Sequence, residues 1–350
     1  MTLPSPMKFQ RPFTERDTRT LKGYCHKRWK KISGARTIPY QKVAMQPTIL
    51  FPRSPFDFSL SAAIFSGGDP NIRRYDNGIF RQVLDAGNGP VLAEVSSSGT
   101  TENPEVSLSI RSDHPVPRGD RQQVKETIAS LLSITDDLGP FYQAVAGDPV
   151  LANLTTRLRG LRAPVTPTVF EALADSIIEQ QISLKAARSI ENRLIRTVGK
   201  QLVLDGDRYY CYPDPATLVN IPDSTFRACG LTIRKGEYLR DTSRLILAGD
   251  LDVEGFRTCQ DTEAVIGELV KIRGIGRWTA ELTILRGLHR PDAFPADDVG
   301  VRRFISQYYL SGRKISAAEA RTFAGRWGTW TGFAAWYLEI ADLLGIRPTV

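Results

Sequence analysis

Two hydrophobic periods divide the chain unequally. Between residues 56 and 112 the apolar positions come in short runs. Phe56 to Phe65 has helical spacing. Three runs then alternate apolar and polar residues: Phe80 to Asp85, Val91 to Ser96 and Val106 to Ser112. Gly, Asn, Pro and Ser separate them, which predicts short strands joined by turns. From Arg121 onward apolar residues recur at three- and four-residue intervals almost to the end. That spacing predicts helices over 121–135, 138–147, 150–160, 168–180, 183–198, 213–220, 234–248, 261–272, 277–288, 299–310 and 316–344. Thr168 with Glu171 and Ser316 with Glu319 fit capping boxes. Gly199 and Gly345 sit where glycines end helices. The chain is therefore expected to be mainly α, with a small mixed α+β domain over 46–120 and an all-α domain over 121–350.

Charge changes this picture only at one end. The net charge is +8 over 350 residues. Residues 1–45 carry +9, and residues 46–350 carry −1. The first 45 residues read as a basic, disordered tail. Such a tail suits a polyanion such as nucleic acid, and it equally suits a plain solvated extension or a chain whose translation starts at Met45. A DNA-binding reading must therefore come from elsewhere. Hydrophobic residues make up 41% of the chain and charged residues 24%, so a packed core is expected rather than disorder. No run reaches the ~18 apolar residues of a membrane helix. The four cysteines (Cys25, Cys211, Cys229 and Cys259) are too scattered for a disulfide framework or a metal pair. A cytoplasmic protein without a membrane partner is expected.

The chemistry concentrates between Leu269 and Phe304. A helix ends at Ile272, Arg273-Gly274-Ile275-Gly276 follows, and a second helix starts at Arg277. Two glycines around one apolar residue permit a tight turn between helices over about 261–288. Backbone N–H groups at the start of the second helix then form an anion site suited to a DNA phosphate. Lys271, Arg273 and Arg277 surround it. Trp278, Leu282 and Leu285 share one face, where the leucines read as core. Trp278 sits in the first turn and can border a pocket for a base. Phe294-Pro295-Ala296-Asp297-Asp298-Val299 precedes the next helix. An Asp there is a normal N-cap. Two adjacent Asp need only one cap, and the second carboxylate can stabilise a sugar oxocarbenium ion or orient water.

GIGRWTAELTILRG followed by PADDVGVRR resembles the helix-hairpin-helix DNA glycosylase superfamily, and within it the AlkA-type 3-methyladenine DNA glycosylases II. Looser matches extend the resemblance over about 46–345: Pro55 to Ser59, Ile178 to Ser183, Leu231 to Lys235 and Arg326 to Trp330. The resemblance implies a helix-hairpin-helix glycosylase fold, duplex DNA with damaged bases as partner, a monomer, and a bacterial, nucleoid-associated location. It places the catalytic aspartate at Asp298, which leaves Asp297 as the cap. It places the base pocket at Trp278, Leu282, Val299, Leu338 and Ile64. DNA backbone contacts fall on Gly274, Gly276, Arg277, Thr279, Arg234 and Lys235, and the minor-groove wedge on Gln181. Four of the five pocket positions are aliphatic where the family is aromatic, which puts the range of lesions in question.

Bifunctional relatives carry a lysine nucleophile where this chain has Trp278, so a monofunctional hydrolase is implied. Relatives with an iron–sulfur cluster carry four close cysteines after the aspartate. The last cysteine here is Cys259, so no cluster and no other cofactor is expected. The one metal the resemblance admits is a monovalent cation at the carbonyls of Val270, Ile272 and Ile275.

Overall fold

The computed structural model describes residues 46–347 apart from Gly67. The basic tail lies outside them. Five strands form one antiparallel sheet: β1 (Thr48–Leu50), β2 (Arg73–Asp76), β3 (Ile79–Asp85), β4 (Pro90–Ser97) and β5 (Val106–Arg111). Their order is β1-β5-β4-β3-β2. The last three are the runs that alternation predicts. β1 and β2, of three and four residues, are too short for a period to show. Helix α1 (Phe58–Phe65) starts where the Asp57 carboxylate accepts the Leu60 amide at 2.8 Å.

Helix α2 (Arg118–Leu131) covers one sheet face, burying Val124, Ile128 and Leu131 against Phe80, Val91, Val95 and Leu108. Each such side chain contributes about 1.5–3 kcal/mol. The boundary expected at 120 falls inside this helix, whose apolar stripe belongs to the sheet. On the other face lies a hairpin from the helical part, β6 (Gln201–Leu204) with β7 (Asp207–Tyr210). Leu202 and Cys211 pack there on Val83 and Leu92. Asp205-Gly206 turns this hairpin with φ of 52° and 88°. Asp-Gly between alternating runs is a strong hairpin signal that the helical pattern on either side masks.

The helical part comprises α3 (Gly139–Ala144), α4 (Pro149–Arg157), α5 (Val169–Glu179), α6 (Leu184–Val198), α7 (Pro215–Val219) and α8 (Asp223–Cys229). It continues with α9 (Ile233–Ala248), α10 (Thr262–Leu269), α11 (Arg277–Thr283), α12 (Val299–Tyr309), α13 (Ala317–Ala324) and α14 (Thr331–Leu343). These build two cores. One gathers α5–α11 around Leu173, Ile177, Leu239 and Leu269. The other gathers α3, α4 and α12–α14 around Phe141, Leu154, Ile305 and Tyr337. Arg162 ties the sheet domain to the second core. It is fully buried, and its guanidinium donates to the carbonyls of Asp136 (2.8 Å), Pro55 (3.0 Å) and Arg53.

Several expectations change in detail. The helix expected over 277–288 widens to a π-helical turn at Ile284–Leu288. The helix expected over 316–344 breaks into α13, a 3-10 turn and α14, because Gly328 (φ 56°, ψ −129°) adopts a backbone open mainly to glycine. Gly199 ends α6 with φ −68° rather than in the left-handed region. A Cβ there would lie 2.2 Å from the Cys211 carbonyl oxygen, so close approach is what requires glycine. Ser316 and Glu319 form the complete capping box, and Gly345 is left-handed as expected.

Candidate active site

The hairpin joins α10 to α11, and the loop after α11 crosses from one core to the other. Ala293 is buried in the first core, and Phe294 and Ala296 in the second. The first part of the loop is tied to the start of α14. The Gly332 amide donates to the Pro291 carbonyl at 2.7 Å, and Thr331 Oγ1 donates to the Asp292 carbonyl at 3.0 Å. Asp298 follows in a tight turn, its amide donating to the Pro295 carbonyl at 2.9 Å. The reading that gave Asp297 the cap is corrected here. Asp298 Oδ1 accepts the amides of Gly300 (2.7 Å) and Val301 (3.1 Å) and so caps α12. Asp297 is exposed, with its backbone carbonyl 3.4 Å from the Arg302 guanidinium. The other Asp298 oxygen, Oδ2, accepts the Trp278 indole N–H at 3.1 Å. One carboxylate therefore caps the helix and also meets the indole. One oxygen fixes its orientation through the helix, and the other stays beside the indole.

The hairpin turn has two different glycine requirements. Gly274 has φ +89°, and a Cβ there would fall 2.4 Å from the Tyr238 ring. Gly276 has φ −92°, and a Cβ there would meet nothing within 4 Å. Gly276 is the N-cap of α11 without a capping side chain, so the first-turn N–H groups remain open to an outside acceptor.

Three other residues expected at the DNA backbone have their side chains engaged within the protein, so a side-chain contact with phosphate is not what they offer. Thr279 is buried, and its Oγ1 accepts Gln180 Nε2 at 3.1 Å. Arg277 is spent on Glu263 (3.0 Å) and Glu281 (2.8 Å). Lys235 is buried, and its ammonium donates to the carbonyls of Ile178 and Gln180, both at 2.7 Å. Burial pushes the Lys235 pKa down. It closes the C-terminal end of α5, where carbonyls lack helical partners. Arg234 is exposed and remains open to a phosphate. Of the three carbonyls expected to gather a monovalent cation, that of Ile272 accepts the Ile275 amide at 3.0 Å.

Gln180 also donates to the Gly274 carbonyl at 2.8 Å. The Gln180–Gln181 turn is thus held from one side by the hairpin and from the other by Lys235. Gln181 stands exposed at its tip with φ +57°. A left-handed non-glycine residue costs of the order of 1 kcal/mol, which these anchors offset.

A family model described as the HhH-GPD superfamily of base excision DNA repair proteins matches residues 174–328. The DNA-3-methyladenine glycosylase of Bacillus subtilis is 30% identical over 264 residues, covering 75% of this chain and 86% of that protein. The chain belongs to the HhH-GPD superfamily. DNA-3-methyladenine glycosylase 2 of Escherichia coli is 30% identical over 192 residues, covering 54% of this chain and 64% of that protein. A solved 3-methyladenine DNA glycosylase from Archaeoglobus fulgidus superposes with a TM-score of 0.74 at 24% identity, over 84% of this chain and 98% of that one. The last likeness bears out the fold.

Within this HhH-GPD site the pocket residues separate. Trp278 is partly exposed beside Asp298. Leu282 is buried, Val299 is exposed, and Ile64 reaches over from α1 to pack on the second core. Leu338 is corrected: it is fully buried within that core and lines no open space. Its neighbour Glu339 is partly exposed and has Asp298, Glu179 and Arg286 as electrostatic neighbours. Arg286 is itself held by Glu179 at 2.8 Å. Glu339 is hard to read from the sequence because it sits in the largely apolar α14. Its one sequence signal was a carboxylate on that otherwise apolar face.

The hairpin's basic side chains are neutralised within the molecule. Lys271 pairs with Glu268, Arg273 with Glu237 and Asp241, and Arg277 with Glu263 and Glu281. A phosphate at the hairpin would therefore meet amides before charges.

Proposed function

We propose that the protein is a monofunctional DNA glycosylase. It removes alkylated purines of the 3-methyladenine and 7-methylguanine class from duplex DNA and leaves an abasic site. The observation that carries the reading is the Asp298 carboxylate, fixed by the α12 amides and by the Trp278 indole at the mouth of the hairpin. Family membership and the names of the relatives support it.

The target bond is hidden in a duplex, so the nucleotide is turned out first, at a cost of a few kcal/mol that is least for a damaged pair. Gln181 fills the gap, and the hairpin amides hold the backbone. N-alkylation makes the purine cationic, so the base leaves with the electron pair of its C1′–N bond and becomes neutral. Charge then develops on the sugar. Asp298 faces it, stabilises the oxocarbenium ion and orients the water whose oxygen bonds to C1′. The water's proton passes to the carboxylate or to solvent. Trp278 stands where bifunctional relatives carry a lysine, so no Schiff base forms and the strand stays intact. The enzyme acts as a monomer and needs no cofactor. The test is release of free base from methylated duplex DNA, compared with duplexes containing uracil or hypoxanthine. Methylated purines should be released fastest, and a preference for uracil would reject the substrate class.

Two variants test the DNA contacts. Gly276→Val meets open space, so the fold should tolerate it while the side chain blocks the amide cradle. Duplex affinity should fall about tenfold for any sequence or lesion, with the salt slope nearly unchanged because no side-chain charge is lost. Unchanged affinity would remove the hairpin from the interface. Lys235→Met should lower unfolding stability by about 2–4 kcal/mol, because buried carbonyls lose a charged donor. Its salt slope for DNA should equal that of wild type. A slope reduced by about one unit would mean that Lys235 reaches a phosphate after all.

A further inference from the structure

We propose that Glu339 makes the base pocket selective for bases that carry a positive charge. The proposal rests on the glycosylase reading above and deepens it. Helix α14 fixes where Glu339 stands. Gly332, in its first turn, packs so closely on the α11 side of the molecule that a Cβ would lie 2.1 Å from the Ala293 carbonyl oxygen and 3.0 Å from Leu285 Cδ1. Seven residues later the helix has made nearly two turns, and Glu339 returns to the azimuth of Gly332. It therefore faces the α11 and Asp298 side, while Leu338 points into the core. No hydrogen bond or ion pair holds its carboxylate among the described residues. Its charged surroundings come from four other elements: Arg286 on the turn after α11, Asp298 before α12, Glu179 on α5 and Arg188 on α6. Three carboxylates thus face two guanidinium groups, and Arg286 is already committed to Glu179. Burial, then the nearby charges of Asp298 and Glu179, push the Glu339 pKa up against the pull of Arg286.

That surplus of negative charge is costly in the free protein, and a cationic base relieves it. A neutral base gives no such relief. The group also suits a pocket poor in aromatic rings. Trp278 supplies one π face, and a carboxylate supplies the attraction that further rings would otherwise give.

The test is single-turnover base release by wild type, Glu339→Gln and Glu339→Leu. One duplex carries a cationic base, 7-methylguanine, and the other a neutral one, hypoxanthine. Glutamine keeps the size and loses the charge, and thermal unfolding checks that both variants fold. The ratio of rates for 7-methylguanine over hypoxanthine should fall about tenfold in both variants. An unchanged ratio in two folded variants, or an equal loss on both substrates, overturns the role of Glu339 and leaves the glycosylase reading standing. A wild type that releases only the neutral base overturns both.

Discussion

Asp298→Asn lowers the rate of base release by about 10²–10³-fold, the loss expected when one preorganised electrostatic group is removed. The substitution is a clean one because the two carboxylate oxygens make separate hydrogen bonds. Asparagine is as good an N-cap as aspartate. Its Oδ1 still accepts the Gly300 and Val301 amides, so α12 keeps its start. Its Nδ2 then meets the Trp278 N–H, donor against donor, where Oδ2 had accepted a bond. The cost there is local. Affinity for abasic-site DNA should persist, since the proposed binding elements, the hairpin and the Gln181 turn, are untouched. Asp298→Ala is less informative because it removes the cap as well. Asp297→Asn should leave the rate within about twofold of wild type, since an exposed side chain outside special features contributes little. Single-turnover release by the two Asn variants checks this. Equal loss in both would mean that the Asp298 carboxylate is not the acting group.

Arg162→Met lowers unfolding stability by about 3–5 kcal/mol, because it takes a buried charged donor from several carbonyls at once. The guanidinium bridges Arg53 and Pro55, at the entry to the sheet domain, to Asp136 beyond α2. Methionine fills much of the volume but offers no N–H, so the carbonyls are left buried and unpaired. Denaturant unfolding of the two proteins measures the difference. A loss under about 1 kcal/mol would mean that water replaces the arginine and that the junction is wetter than its burial suggests.

The hairpin and its aspartate are legible in the sequence because each rests on local chemistry. Gly274 must reach a positive φ, Gly276 must leave amides open, and a Pro-turn must set an acid before a helix. Strands β3, β4 and β5 are legible because six or more residues let a period of two appear. What could not be read is what depends on distant partners. Lys235, Thr279 and Arg277 look like phosphate ligands beside a glycine hairpin. Only the fold shows that the carbonyl of Ile178, the amide of Gln180 and the carboxylates of Glu263 and Glu281 already occupy them. The choice between Asp297 and Asp298 as cap turns on one residue of register, which adjacent identical side chains cannot reveal. Leu338 and Glu339 pose the same problem on a helix, where one residue turns a side chain by about 100°.

The central claim is that this site cuts the glycosidic bond and leaves the backbone whole. It is tested most directly by incubating the wild-type protein with a duplex carrying a single 7-methylguanine and analysing both products. The account predicts free 7-methylguanine and a full-length strand that breaks only on later alkali treatment, with no protein–DNA adduct trapped by borohydride. Release no faster than spontaneous depurination, or a nicked strand with a trapped adduct, would contradict it.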